Sequence, residues 1–458
     1  MDQEHLRIGI IGGGCSGVLL TVHLVRTAVV PTEIYLIERR PPFGRGIAYA
    51  AIHSLHRLNA PAGRMSAFDD DPTHFVRWLQ RSSAPCTRWN GCEFVPRGRY
   101  GQYLGELLTT AMRAGQSPAR VHLVSGTATA IEDGPRGLAI AIAGEASISV
   151  DHAVLCTGLA RQKGAFGACA SLREAARFIA DPWDDAERSR IGRDDNVLIV
   201  GTGLTMVDTV IELAARGHRG WIHAVSRHGL LPASHTPLEP CPPFLDGRVL
   251  PRSVVGQFEA IRAEVARAAA LGISWQSVFE ALRTRAQECW RALPPAERRR
   301  FLRHLRPYWE IHRHRMAPDI AARFAALRAS GQVSVSAARI IDATPGEPVR
   351  VSLRPRGRNV VLSLEADWVI DATGADARSD LVIENLIRSG MARPDPLGLG
   401  IEVTPEGAVV GTDGVASRTI FAVGVASRGA LWDVTAVPEL RRQCAALATS
   451  LTRAPAYA

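Results

Sequence analysis

RIGIIGGGCSGVLLTVHLVR, residues 7–26, decides the fold. A short β-rich apolar run from Arg7 to Ile11 enters Gly12-Gly13-Gly14-Cys15-Ser16-Gly17 and leaves into an apolar helix that reaches about Arg26. This is G-x-G-x-x-G in the strand–turn–helix setting that gives the motif its meaning. Gly12 suits the tight turn, Gly14 the close approach of a pyrophosphate, and Gly17 the packing of helix on strand. Cys15 and Ser16 fall in the first helical turn, where free N–H groups and the positive end of the helix dipole favour phosphate. The next apolar run, Ile34 to Ile37, ends at Glu38, whose carboxylate can accept hydrogen bonds from a ribose diol.

A second copy follows at residues 196–213, NVLIVGTGLTMVDTVIEL, with Gly201 and Gly203 in the first two glycine roles and Thr205 in the first turn. Met206 stands where the third glycine would be, a departure that touches helix packing and leaves the phosphate turn intact. The strand after it, Trp221 to Val225, runs into Ser226-Arg227-His228. Glu38 lies 26 residues after Gly12, and Arg227 lies 26 residues after Gly201. One structural position thus holds an acid in the first copy and a guanidinium in the second. An acid there favours an unmodified ribose and repels a 2′-phosphate, whereas arginine offers that phosphate a charge-assisted fork. The acid fits FAD or NAD on the first fold and the arginine NADPH on the second, with a solvated Arg227 at a strand end as the plain alternative.

The 458 residues suffice for two or three domains with their own cores. A net charge of +9 could suggest a phosphate-rich partner, but all but one of the 54 basic residues are arginine, Lys163 being the exception, and they are spread along the chain. That is a composition bias rather than a basic stripe, so no nucleic acid is expected. Eight cysteines without a Cys-x-x-Cys pair argue against a disulfide relay or structural zinc, and so for a reducing compartment. Asp2 and Glu4 precede an apolar run broken by glycines, which resembles neither a signal peptide nor a membrane span. A cytoplasmic protein with no membrane partner is the default expectation; oligomeric state is not legible.

Between the two nucleotide motifs lies GRGIAYAAIHSLHRLNAPAGRMSAF, residues 44–68, followed by Asp71-Pro72 and His74-Phe75. Further on stand GTGLTMVD at Gly201 to Asp208, HLRPYWEIHRHR at His304 to Arg315, and GVASRGALWDVTAVPELR at Gly424 to Arg441. In these four segments the chain resembles a family of bacterial FAD/NAD(P)-binding flavoproteins. The resemblance runs nearly end to end. It implies an FAD fold interrupted by an NAD(P)H fold, broadly similar to flavin-dependent N-hydroxylating monooxygenases. Through it, Asn59, Met65 and Ser66 are candidates to line the flavin, each with a turn or packing role as the alternative.

The fold class expected is therefore α/β, with two Rossmann-like domains and the FAD domain discontinuous. Its parts would span residues 1–185 and 333–458, and the inserted NAD(P)H domain 186–332, with helices from about 253 to 330 broken at Pro294-Pro295 and Pro307. Cys156-Thr157-Gly158 and Ala372-Thr373-Gly374 read as strand-to-loop turns whose small residues let backbone pass close to a cofactor, which makes Thr157 and Gly158 candidates. In the C-terminal motif a strand ends at Gly424 and a helix begins near Val437, with Pro438 in its first turn. Its dipole would stabilise a reduced flavin, with Trp432 as cover and Thr435 beside it. His312 and His314 are spaced i, i+2, which on a helix turns the rings to different faces and speaks against a metal.

Three functions fit these features. The first is an NADPH-consuming monooxygenase that inserts one oxygen atom from dioxygen into an amine or other nucleophilic group of a small polar metabolite. The F-x-G-x-x-x-H fingerprint of the Baeyer-Villiger type is absent around Phe166-Gly167. The second is a flavin reductase or dehydrogenase with another acceptor. The third is a non-catalytic redox sensor that keeps the nucleotide sites. No catalytic side chain is named, because the flavin carries the reaction in the first two.

Overall fold

The computed structural model describes residues 5–50, 53–83, 88–135, 137–158, 172, 175–239, 241, 244, 250–374 and 380–453. Phe166-Gly167, Lys163, Cys86 and Cys169 lie outside the described residues. The chain divides into two compact units, one comprising Met1–Ile52, Ala60–Ala160 and Asp376–Ala458, the other His53–Asn59 and Arg161–Ala375.

In the first unit the strand of the opening motif, Leu6–Ile11, is the centre of a six-stranded sheet. It pairs in parallel with Thr32–Glu38 on one side and His152–Leu155 on the other. Ala119–Ser125 extends the sheet beyond Thr32–Glu38, Ala416–Ala422 extends it beyond His152–Leu155, and Ala408–Val410 closes that edge antiparallel. A parallel centre buried on both faces requires the near-continuous apolar runs that the sequence supplies at Ile8 to Ile11 and Ala153 to Leu155. One face is covered by a three-stranded antiparallel sheet, Ala128–Gly134, Gly137–Ile142 and Ile148–Val150, and by the helix Leu381–Ser389. Gly9 lets this layer close, since a Cβ there would stand 2.2 Å from Ile140 Cδ1. The motif helix Cys15–Thr27 packs against the helices Arg97–Met112 and Val437–Arg453.

The second unit carries a seven-stranded sheet ordered Leu362–Ala366, Val349–Pro355, Val333–Thr344, Ile222–Ser226, Val197–Val200, Trp368–Asp371, Phe178–Ile179. The strands from Val333–Thr344 to Phe178–Ile179 are mutually parallel, and the first two form an antiparallel hairpin on the far end of Val333–Thr344. Six helices between Val254 and Ala329 pack around Phe244, Ala268, Val278, Leu282 and Cys289. Pro295, Pro307 and Pro318 each sit in a first helical turn, where a missing N–H costs nothing.

The α/β class and the discontinuous first fold are as expected; the boundaries are not. Phe178–Ile179, assigned by sequence to the first domain, pairs with Trp368–Asp371 in the second sheet. Residues 333–371, expected to return to the first domain, remain in the second: Val333 is in register with Ile222, and Trp368 with Val197. The return comes at about residue 376. Alternating apolar strands have the same period in either sheet, so the pattern identifies a strand without saying which neighbour it joins.

Candidate dinucleotide sites

The two glycine turns are built alike. Gly12 has φ +107° and Gly201 φ +115°, a backbone region open to glycine. Each presses on the end of a strand far along the chain. A Cβ on Gly12 would lie 2.5 Å from the Cys156 carbonyl oxygen, and one on Gly201 would lie 2.3 Å from that of Ala372. The two small-residue turns singled out in the sequence are thus the partners of the two glycine loops. Gly17 meets the requirement for close helix packing, since a Cβ there would fall 2.0 Å from the Gly12 carbonyl oxygen. Its counterpart Met206 is fully buried in the helix Leu204–Ala215.

Helices Cys15–Thr27 and Leu204–Ala215 begin at Gly14 and Gly203 with no side-chain cap, while Ser253, Ser274 and Asp380 cap other helices of the chain. The first-turn N–H groups, at Cys15 and Ser16 in one and Thr205 in the other, are therefore left to an outside acceptor. Space agrees with this at Gly203 and Gly158, where an added Cβ would meet nothing within 4 Å. At Gly14 it would meet the Gly46 Cα at 3.5 Å, an ordinary contact between two facing glycines.

Glu38 closes the first loop: its Oε2 accepts from the Gly13 N–H at 2.8 Å and its Oε1 from the Arg40 N–H at 2.8 Å. Carboxylate oxygens accept more than one bond each, so capacity for a diol remains. The Thr157 hydroxyl, on a residue only 7% exposed, is buried with no hydrogen-bond partner among the described residues. An orphaned group of this kind beside a glycine loop fits a ligand that satisfies it. Gly424, at φ +76°, brings the C-terminal motif against the same loop, where a Cβ would stand 2.9 Å from Ser16 Oγ.

Other candidates find different roles. The Ser66 hydroxyl donates to the Asp71 carbonyl at 2.6 Å and accepts from the Phe68 N–H at 3.1 Å, a local turn that uses up the group. Met65 is packed in the first unit's core. Asn59 belongs with the second unit, its carbonyl 2.9 Å from His235 Nε2. Trp432 is buried with the Arg428 guanidinium 4.8 Å from its ring, and Thr435 is half-buried before the helix Val437–Arg453. The sequence reading of that helix omitted Glu439, a buried carboxylate in its first turn that tempers the positive end of the dipole.

At the end of Ile222–Ser226 the Ser226 hydroxyl is spent inside the fold, accepting from the Gly229 N–H at 2.9 Å and lying 2.9 Å from Thr202 Oγ1. Arg227 is exposed, and no carboxylate pairs with it among the described residues. His312 and His314 do part company: His312 stacks on Phe279 and meets Trp275 edge-on, while His314 lies 3.1 Å from Glu310. Among the described residues no three His, Cys, Asp or Glu side chains gather as a metal site, and no helix is long and apolar enough to cross a membrane.

A buried charge cluster escaped the sequence reading altogether. Glu212, on the helix after the second glycine loop, is 2% exposed; His56 Nε2 lies 3.0 Å from it and Arg188 Nη2 3.1 Å, with Arg216 also on the carboxylate. His56, 2% exposed, meets the edge of Trp183. The cluster pins the segment His53–Asn59 into the second unit, a long-range pairing that local pattern does not encode.

Residues 9–160 match the model of a family described as FAD-NAD(P)-binding. No curated protein matches the chain by sequence. Among solved structures the chain is similar to L-lysine 6-monooxygenase from Pseudomonas syringae, with 16% identity, 98% of this chain and 99% of that one covered, and a TM-score of 0.66. It is also similar to the cadaverine monooxygenase of the desferrioxamine pathway from Erwinia amylovora, solved with FAD, with 12% identity, 97% and 94% covered, and a TM-score of 0.67. A bacillithiol disulfide reductase from Bacillus cereus shares the fold at 14% identity, 98% and 99% covered, and a TM-score of 0.56. Over residues 9–160 the chain is similar to the FAD-NAD(P)-binding family, and its full length carries the fold of these proteins.

Proposed function

We propose that the protein is an FAD-dependent, NADPH-consuming monooxygenase acting on an amine or other nucleophilic group of a small polar metabolite. The observation that carries this reading is the pair of uncapped glycine loops, one answered by Glu38 and the other by Arg227 at the same offset. Gly12, Gly14, Cys15, Ser16 and Gly17 would hold the FAD pyrophosphate, Glu38 its ribose, and Thr157, Gly158 and Gly424 the neighbouring backbone approach. Gly201, Gly203 and Thr205 would hold the NADPH pyrophosphate and Arg227 its 2′-phosphate. Bound FAD would supply hydride acceptance from NADPH and, once reduced, the activation of dioxygen.

The chain's own thiols favour oxygen over a disulfide as acceptor. Cys15, Cys156 and Cys444 surround the first loop as free cysteines. Burial pushes the Cys15 thiol up to about 12 and raises those of Cys156 and Cys444 as well. Thiol–disulfide exchange needs the thiolate, which these residues withhold at neutral pH. The lysine and cadaverine monooxygenases among the structural neighbours lend support by fold analogy.

The test is a search of small polar amines for one that accelerates NADPH oxidation. Without substrate, slow oxidation with hydrogen peroxide release is expected. With it, turnover rises and ¹⁸O from labelled dioxygen enters the product. A substrate that turns over equally well without oxygen makes the protein a reductase instead, and a protein that consumes no NADPH under any condition makes it a sensor.

A further inference from the structure

We infer that Arg356 is a second residue of the 2′-phosphate site, acting together with Arg227; this rests on the reading of the second fold as an NADPH site. The register of the second sheet brings the two together. Ser226, the last residue of its strand, pairs with Ala337 from one side. From the other side Pro355 pairs with Ala338, and the Arg356 N–H donates to the Ala337 carbonyl at 2.8 Å. The hairpin strand Val349–Pro355 therefore ends level with the carboxyl end of Ile222–Ser226, the end of a parallel sheet at which dinucleotides bind.

His228, next in sequence to Arg227, is hydrogen-bonded to Arg356. The Arg356 Nη1 donates to His228 Nδ1 at 3.1 Å, which fixes that nitrogen as an acceptor and the ring as neutral. Burial first, then the charges of Arg356 and Arg227, lower the His228 pKa. The turn is held down: Gly229 has φ +61°, and a Cβ there would stand 2.9 Å from the Ala337 N. Both arginines are exposed, and neither has a carboxylate partner among the described residues. Some exposed arginines of this unit do find one, as Arg219 does in Asp194 and Arg350 in Glu365, while others such as Arg354 and Arg358 do not among the described residues, so it is the register that marks this pair. Two unneutralised cations brought to one end of the sheet by its register, with the imidazole hydrogen-bonded to one of them kept neutral, make a site for a dianion. In an NADPH fold that dianion is the 2′-phosphate.

Direct binding of 2′,5′-ADP and 5′-AMP, measured by calorimetry on the full chain, separates the possibilities because the two probes differ only in that phosphate. Arg356→Ala should fold normally, as its backbone rather than its side chain makes the sheet bond. It should weaken 2′,5′-ADP about tenfold or more, as expected for one lost charge-assisted contact, and leave 5′-AMP within about twofold. Arg227→Ala should do the same, and the double variant should bind both probes alike. A loss at Arg227 with none at Arg356 overturns this inference and leaves the NADPH reading standing. Equal losses for both probes at Arg356 also overturn it, since they mark a structural role. If the unmodified protein does not prefer 2′,5′-ADP, the NADPH reading itself fails.

Discussion

Replacing Glu212 with alanine should open the second nucleotide fold. The side chain is 2% exposed and touches the His56 imidazole and the guanidinium groups of Arg188 and Arg216, of which His56 is 2% and Arg188 7% exposed. Arg216, at 36%, can turn to solvent; His56 and Arg188 cannot. Removing one member of a buried ion cluster and stranding the rest costs about 3–5 kcal/mol, a large share of the 5–15 kcal/mol that holds a domain together. Native-state hydrogen exchange at the amides of Leu204–Ala215 reads this locally, whatever the first unit does. The protection of that helix should fall by about two to three and a half orders of magnitude. The sign with pH follows from the same contacts. Burial works to raise the Glu212 pKa, but His56 and the two arginines outweigh it and hold the carboxyl below its ordinary value. Its contribution is thus fully present above the unfolded value of 4.5 and is lost as pH falls through the lower folded value. Glu212→Ala should therefore lose protection at neutral pH and show a shallower loss than the parent on acidification. A drop in protection of less than tenfold at neutral pH would refute the account, because the cluster would then be doing no more than an exposed ion pair does.

Gly14→Ala should fold, because its Cβ meets only Gly46 at contact distance, yet bind FAD poorly; Gly12→Ala should fail to fold at the loop, with φ at +107° and a carbonyl oxygen 2.5 Å away. Yellow, fully FAD-loaded Gly14→Ala would remove the first fold as the FAD site. At pH 8 a thiol reagent should modify exposed Cys92 and spare Cys15, Cys156 and Cys444 until urea is added. Rapid reaction of Cys15 in the folded protein would instead favour a disulfide acceptor.

The two glycine loops were legible because their chemistry is local: strand, turn, helix and terminal residue all fall within about thirty residues, and each has one physical reason. The partner turns at Cys156 and Ala372 were legible as small-residue strand ends, though only the fold shows which loop each serves. Asn59 and Ser66 were misleading for opposite reasons. Ser66 is a local turn whose hydroxyl is consumed five residues on, and Asn59 is drawn to the second unit by contacts with residues more than a hundred positions away. Arg356 could not be found at all, since its place beside Arg227 depends on where an antiparallel hairpin stops along a strand from elsewhere.

The order of strands in the first sheet has a consequence for the protein as it is being made. His152–Leu155 pairs with Leu6–Ile11 on one edge and with Ala416–Ala422 on the other. Its first partner has long left the ribosome when it emerges, but its second is the better part of three hundred residues away. Throughout synthesis of the whole second unit, Ala153, Val154 and Leu155, all fully buried in the finished protein, line an open sheet edge. Such an edge invites pairing with any passing strand. A nascent chain stopped between residues 374 and 416 should therefore be aggregation-prone even though both glycine loops and both of their partner turns have already been synthesised.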